Sequence, residues 1–375
     1  MTLEEIKLQR LAGQHLLTPT DTKTVVKDLC GVQAQFLGHA IHGLSIRCTE
    51  VNTDGLVKSW TNRGTMHLFS VDDLPLFLHE GRTHFLRPVD TLESDSYISA
   101  DRKAYFAELI VDAVAQGIDG REALKAVCEK AGMTENESQS LFDHWGGTIR
   151  ALCEVGRLCH KVQEKKAYQL CPAFEPMAEE PARLELARRY FTHFGPATIK
   201  DATYFFGTTQ TKVKSMMKQL PVAETSLDGK SYFYIDNGLP AGELPACLFL
   251  AGFDQLMLGY EKTESLFLPK EHMRDIFNLA GIVRPAVLVN GTVVGWWNLK
   301  NRKLKITLFS PADQKLISDA ATRLWSDLKQ IEYLYATGPG AHAPGSVPIS
   351  IDFPLAAARK TAAPIQDTSC IPLLL

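Results

Sequence analysis

Apolar positions recur along the chain in three rounds of helical spacing, each closed by a short alternating stretch. In the first round Thr2-Leu3-Glu4-Glu5 is a capping-box pattern, with hydroxyl and carboxylate three residues apart. Leu3, Ile6 and Leu11 then carry a helical stripe. Val25, Val26, Leu29 and Cys30 form a second, ending near Gly31. Leu44, Ile46 and Cys48 alternate as on a half-buried strand, Leu56, Val57 and Trp60 return to helical spacing, and Gly64 to Phe69 alternate again. In the second round Ala104, Leu109, Ile110 and Ala113 mark a helix, another starts from Asp119, and a third follows the capping box Thr134-Glu135-Asn136-Glu137. Leu158 to Val162 and Tyr168 to Cys171 read as a hairpin with the polar tip Gln163-Glu164-Lys165-Lys166.

The third round is the clearest. Pro181 opens a helix that ends in Tyr190-Phe191. Thr198 caps the next, which stops at Gly207, and the third runs from Thr209 to Leu220. Lys212, Lys214 and Lys218 lie among the inward-facing Val213, Met216, Met217 and Leu220. Asp228-Gly229 then turns a hairpin. Helices followed by a wing-like hairpin are what a winged helix-turn-helix needs to place a basic helix in a DNA groove. The plainer alternative for those lysines is a solvated helix face.

Beyond a Gly- and Pro-containing link at residues 236–244 the pattern becomes strand-rich. Asn290-Gly291 is a two-residue hairpin turn between apolar runs, and Leu304, Ile306 and Leu308 alternate. A long helix is expected from Pro311 to Tyr333, and a small β-barrel or curled sheet is the natural package. The pattern therefore predicts an α+β protein: tandem winged helix-turn-helix units followed by a C-terminal β-barrel. The units are bounded at residues 1–98, 99–178, 179–240 and 241–375.

Composition narrows the class. The 375 residues are 45% apolar and 22% charged, as in ordinary globular proteins, and the net charge of −3 means that any nucleic-acid contact has to come from local basic patches. No apolar stretch has membrane-spanning length and the N-terminus shows no signal-peptide pattern, so a cytoplasmic protein is expected. The eight cysteines lack paired spacing and no His-rich cluster is present, so neither disulfides nor a metal is expected. Nucleophile-elbow and phosphate-loop patterns are absent.

The candidate chemistry sits in Gly31-Val32-Gln33-Ala34-Gln35-Phe36. In an extended segment Gln33 and Gln35 point the same way. Each amide offers donors and an acceptor but no charge, so the pair can hold a water or a base edge but cannot act as a strong general base. The bland alternative is that both amides tie a turn to backbone groups. Arg63, Arg82, Arg87 and the basic hairpin around Arg302, with Lys300, Lys303 and Lys305 beside it, are candidates for phosphate contacts, and His67 either reaches DNA or bonds within the fold. His342-Ala343-Pro344 would form the tip of a Gly- and Pro-rich loop.

Read together, several stretches resemble the AlkZ/YcaQ-like superfamily of winged-helix DNA glycosylases. They are Gly31 to Gln35, Trp60 to Leu68, Phe194 to Thr198, Phe253-Asp254 with Leu258-Gly259-Tyr260, Arg284-Pro285, Val287 to Gly291, and Val293 to Trp296. The likeness runs from about Leu8 to about Phe353. It implies three tandem winged-helix units closed by a β-barrel around a basic channel for duplex DNA. It also implies a catalytic Gln-apolar-Gln triplet at Gln33 and Gln35, since related members carry Asp where this chain has Gln35. His342 and Pro344 would belong to a hairpin tip entering the minor groove. The implied activity is hydrolysis of the N-glycosidic bond of alkylated, cationic purines, bulky adducts included. Double-stranded DNA carrying alkylated bases is the partner, no cofactor is needed, and the expected state is a monomer. A winged-helix transcription regulator, or a damage-binding protein that breaks no bonds, is the competing class.

Overall fold

The computed structural model describes residues 1–336, except 83–85, 87–89, 96–97, 145, 240–241 and 280. Arg87 and the His342-Ala343-Pro344 tip lie outside the described residues. The chain opens with α1 (Leu3–Gly13), α2 (Thr22–Asp28), β1 (Val32–Gln33), α3 (Leu37–Ser45), β2 (Leu56–Trp60), β3 (Met66–Ser70) and α4 (Leu74–Phe77). A second stretch runs α5 (Ala100–Ala115), α6 (Arg121–Lys130), α7 (Glu135–Leu141), α8 (Gly147–Glu154), β4 (Leu158–His160) and β5 (Tyr168–Leu170). The third comprises α9 (Glu179–His193), α10 (Ile199–Phe206), α11 (Gln210–Met217), β6 (Ala223–Leu227) and β7 (Lys230–Tyr234). The last holds β8 (Cys247–Phe249), α12 (Gln255–Leu258), α13 (Met273–Ile276), β9 (Ala286–Val289), β10 (Thr292–Lys300), β11 (Lys303–Leu308), α14 (Gln314–Leu324) and β12 (Gln330–Tyr335).

Local chemistry starts and stops these elements where the sequence says it should. Capping boxes open α1 at Thr2 and Glu5, α7 at Thr134 and Glu137, and α10 at Thr198 and Asp201. The tight hairpins with Asp228-Gly229, Asn290-Gly291 and Asn301-Arg302 in the turn each place two positive-φ residues there, which matches the right-handed twist of the flanking strands.

Three expectations are corrected. Residues 37–45 form a helix, because Leu37, Ala40, Ile41 and Leu44 make a buried stripe of which the alternating reading caught only the end. Residues 56–60 form a strand: β2 lies between β3 and β4, and a central strand covered on both faces loses clean alternation. The expected helix to Tyr333 ends at Leu324, and β12 pairs in parallel with β11, Ile306 opposite Tyr333. No closed barrel is found among the described residues. Among the described residues the C-terminal sheet is open, in the order β12-β11-β10-β9-β8, with α14 packed on one face through Ile317, Ala320 and Ala321.

The first two stretches share one sheet, β1-β3-β2-β4-β5, joined where Lys58 meets His160. The cores also cross the sequence-drawn boundaries. One apolar cluster joins the first stretch, the third and residues 250–293, while α5 to α8 with β4 and β5 enclose a second and the C-terminal sheet a third. Buried cations stitch the first body together. On α1, Lys7 Nζ donates to Gly291 O at 2.7 Å, and Arg10 donates to Pro196 O at 2.8 Å while lying 3.8 Å from the Tyr260 ring centre. Arg189 of α9 grips both oxygens of Asp73 at 2.8 Å each. No described helix is long and apolar enough to cross a membrane.

Removing one partner of a buried pair strands the other charge. Arg189→Met should therefore lower unfolding stability by about 3–5 kcal/mol. Urea denaturation is the measurement, and a loss below about 1 kcal/mol would mean that the Asp73 fork does not hold α9 to the first stretch.

Candidate active site

The turn after α2 sets the geometry. Cys30 and Gly31 both take positive φ, 52° and 79°, and a side chain added at Gly31 would press on the His67 Cβ at 3.3 Å. The positive φ favours glycine at position 31, and the close approach of His67 adds to that preference. The chain then enters β1 at the edge of the first sheet, where Val32 faces Leu68 and Gln33 faces His67 across an antiparallel pair. Ala34 N donates to Met66 O at 2.8 Å, and Phe36 starts α3.

The two glutamines are not equivalent. Gln33 is 7% exposed and belongs to the strand, whereas Gln35 is exposed and lies beyond the strand's two residues. Strict same-side alternation therefore applies to Gln33 but has lapsed by Gln35. One amide sits inside, the other at the rim.

A loop from the C-terminal part closes behind Gln33. Phe253 stacks on Phe36 with ring centres 5.7 Å apart. Arg47, just past α3, meets Asp254 through two parallel bonds, Nη1 to Oδ2 at 3.0 Å and Nη2 to Oδ1 at 2.7 Å. Its Nε donates to Gln14 O and its Nη1 also to Gly43 O, so the guanidinium is held on every side. Gly252 N donates to His39 Nδ1 at 3.0 Å, which fixes the hydrogen of a neutral His39 on Nε2. Burial pushes His39 down to about 3, with His42 adding to the effect. Gln33, His39 and Gln255 line a cavity of about 10 Å³, close to what one water centre occupies. His39 Nε2 and Gln255 Nε2 are buried without a hydrogen-bond partner among the described residues.

The predicted DNA-contact residues fall into different settings. Arg63 is half-buried. It donates to Gln255 Oε1 at 3.1 Å and lies 4.3 Å from the Phe205 ring centre. Burial lowers its guanidinium to about 10, so it stays cationic near neutrality. Of the two roles open to His67, reaching DNA or bonding within the fold, the structure shows contacts at hydrogen-bond distance within the fold, and the residue is fully buried. Its Nδ1 lies 3.0 Å from both Thr61 Oγ1 and Thr65 O, and burial, reinforced by Arg63, depresses it to about 3. These contacts brace the turn between β2 and β3, on the strand that pairs with Gln33. Arg302 is exposed but bonded to Asp327 at 2.9 Å, and Lys212, Lys214 and Lys218 are exposed on α11 and just past it. Arg82 is buried against Glu154 at 3.5 Å. Sequence reasoning assigned no role to Arg47, Asp254, His39 or Gln255. Phe253-Asp254 stood among the resembling stretches, and an acidic residue inside an otherwise uncharged run from Leu244 to Tyr260 was the available signal.

Residues 26–326 match the family described as DNA glycosylase AlkZ-like. The chain belongs to that family. It is a DNA glycosylase by membership, and the Gln-Ala-Gln segment lies inside the matched region. A relative from Streptomyces sahachiroi, an interstrand DNA cross-link repair glycosylase, is 27% identical over 335 residues, covering 79% of this chain and 87% of its own. The solved structure of Streptomyces sahachiroi DNA glycosylase AlkZ superimposes with a TM-score of 0.66 at 21% identity, covering 90% of this chain and all of that one, and so shares the mixed α+β fold.

The buried histidines give a pH test. Their ordinary value is 6.5, and the fold holds His39 and His67 near 3. As pH falls, the unfolded chain takes up these protons first, so stability is complete above about 6.5 and declines towards 3. The slope is up to about 1.4 kcal/mol per pH unit for each histidine. Denaturant midpoints measured from neutral pH downward should follow this slope, and His67→Asn should flatten it.

Proposed function

We propose that this glycosylase hydrolyses the N-glycosidic bond of cationic, N7- or N3-alkylated purines in duplex DNA, including bulky or cross-linked adducts. The observation that carries the reading is a pair of amides, one on an edge strand and one just beyond it, with no free carboxylic acid or protonated histidine beside Gln33 among the described residues. The two histidines are kept neutral by burial, and both oxygens of Asp254 are taken by Arg47. A normal purine leaves only when protonated, whereas an alkylated purine already carries its positive charge. What remains is to place a water and to stabilise the oxocarbenium-like sugar. Amide carbonyls can do both. In this reading Gln35 holds the attacking water and Gln33 orients it or the sugar.

The exposure of Gln35 favours large lesions, because a residue at the rim does not demand that the base enter a closed pocket. The Streptomyces sahachiroi relative acts, by its name, on interstrand cross-links, and its overall likeness supports extending that class here. The three helix-and-hairpin stretches would act as tandem winged-helix units along the duplex. Arg63, Arg302 and α11 supply positive charge, with Arg87, His342 and Pro344 as further contacts, and the protein acts as a monomer.

The test is base release from duplexes carrying N7-methylguanine or a bulkier N7 adduct, read as free base and alkali-labile sites. Gln35→Ala should lose on the order of 10²–10³ in rate while keeping fold and DNA affinity, since an exposed side chain contributes little to packing. A variant as fast as the parent would refute the assignment.

A further inference from the structure

We propose that His15, Asp28 and His193 form a binding site for a divalent transition metal of the zinc type. His15 lies two residues beyond α1, Asp28 ends α2 and His193 ends α9, so three separate elements supply one donor each. Their ligating atoms all lie within 4.8 Å of one another. Asp28 Oδ2 is 2.8 Å from His15 Nε2, and Asp28 Oδ1 is 3.3 Å from His193 Nε2.

The hydrogen-bond pattern around His193 points to a cation. Its Nδ1 is 3.1 Å from Gly13 O, and a carbonyl can only accept, so Nδ1 carries the hydrogen. In the neutral ring Nε2 then presents a lone pair to the Asp28 carboxylate, which also only accepts. That contact is repulsive unless a proton or a metal ion lies between them. An imidazole that binds metal through one nitrogen commonly donates its other N–H to a backbone carbonyl, as His193 does to Gly13. Two imidazoles and a carboxylate, with a fourth place open to water, suit zinc. The three side chains are 9%, 15% and 13% exposed, which leaves an ion a route in. His15 also holds a left-handed backbone, φ 58°, where a glycine would be unstrained.

An ion here would tie α1, α2 and α9 together. Asp28 directly precedes the turn through Cys30 and Gly31 into Gln33, so the site braces the segment bearing the glutamine pair and takes no part in the reaction itself.

The test uses the full-length chain stripped with chelator and then titrated with Co²⁺, followed by its visible ligand-field band, and with Zn²⁺ in competition with a chromogenic chelator. About one ion should bind per chain, and Zn²⁺ should raise the melting temperature in the absence of DNA. His15→Gln and His193→Gln should each weaken binding roughly tenfold or more, and should abolish the melting shift. Absence of a Co²⁺ band in the parent would overturn the site, leaving a protonated histidine staple, and so would a band that persists unchanged in both variants. The parent's spectrum decides the matter even if a variant folds poorly.

Discussion

The forked bond between Arg47 and Asp254 is the constraint on which the candidate site rests. Arg47 follows α3, the helix that the Gln-Ala-Gln segment leads into, and Asp254 sits in the loop that covers that helix. A buried ion pair contributes little net stability, because desolvation offsets most of the attraction. Its value here is geometric. Two parallel bonds fix distance and angle together, and the further contacts of Arg47 to Gln14 and Gly43 carry the same restraint back to α1 and α3. The phenylalanine stack and the Gly252–His39 bond fit only when that loop is seated.

This arrangement spends its charges on structure. The carboxylate nearest Gln33 is fully engaged, the neighbouring imidazoles are neutral, and Arg63 is held by Gln255 and Phe205. What is left is amide chemistry, with Gln33 buried on β1 and Gln35 exposed just beyond it. A weak site of that kind suits a reaction whose substrate arrives already activated, and it would be a poor site for expelling an unmodified base.

Much of the local structure was legible in the sequence, because caps and turns act over three or four residues. Thr2 with Glu5, Thr198 with Asp201, Asp228-Gly229 and Asn290-Gly291 all do in the fold what their chemistry requires. Errors arose where a neighbour distant in the chain decided the outcome. Residues 56–60 read as helical because β2 is an inner strand, paired with β3 and with β4 about 100 residues away, and the burial of successive residues on opposite faces removes the alternation. Residues 330–335 turned extended because β11 offers an edge. Of the glutamine pair, the residues and their neighbourhood could be seen, but not the unequal burial, which depends on where β1 stops pairing. Arg47 with Asp254, and His15 with Asp28 and His193, are separated by up to 207 and 178 residues, beyond the reach of any local pattern.

The ladder that fuses β2 to β4 has a consequence for how such a protein can be shortened. Were the stretch from α5 to β5 excised, β2 would lose its outer partner and present a bare row of amide and carbonyl groups next to exposed apolar side chains. A trimmed version would tend to stick to its own copies along that edge. The middle stretch therefore doubles as a built-in cover, so any miniaturisation has to replace that strand before it can discard the rest.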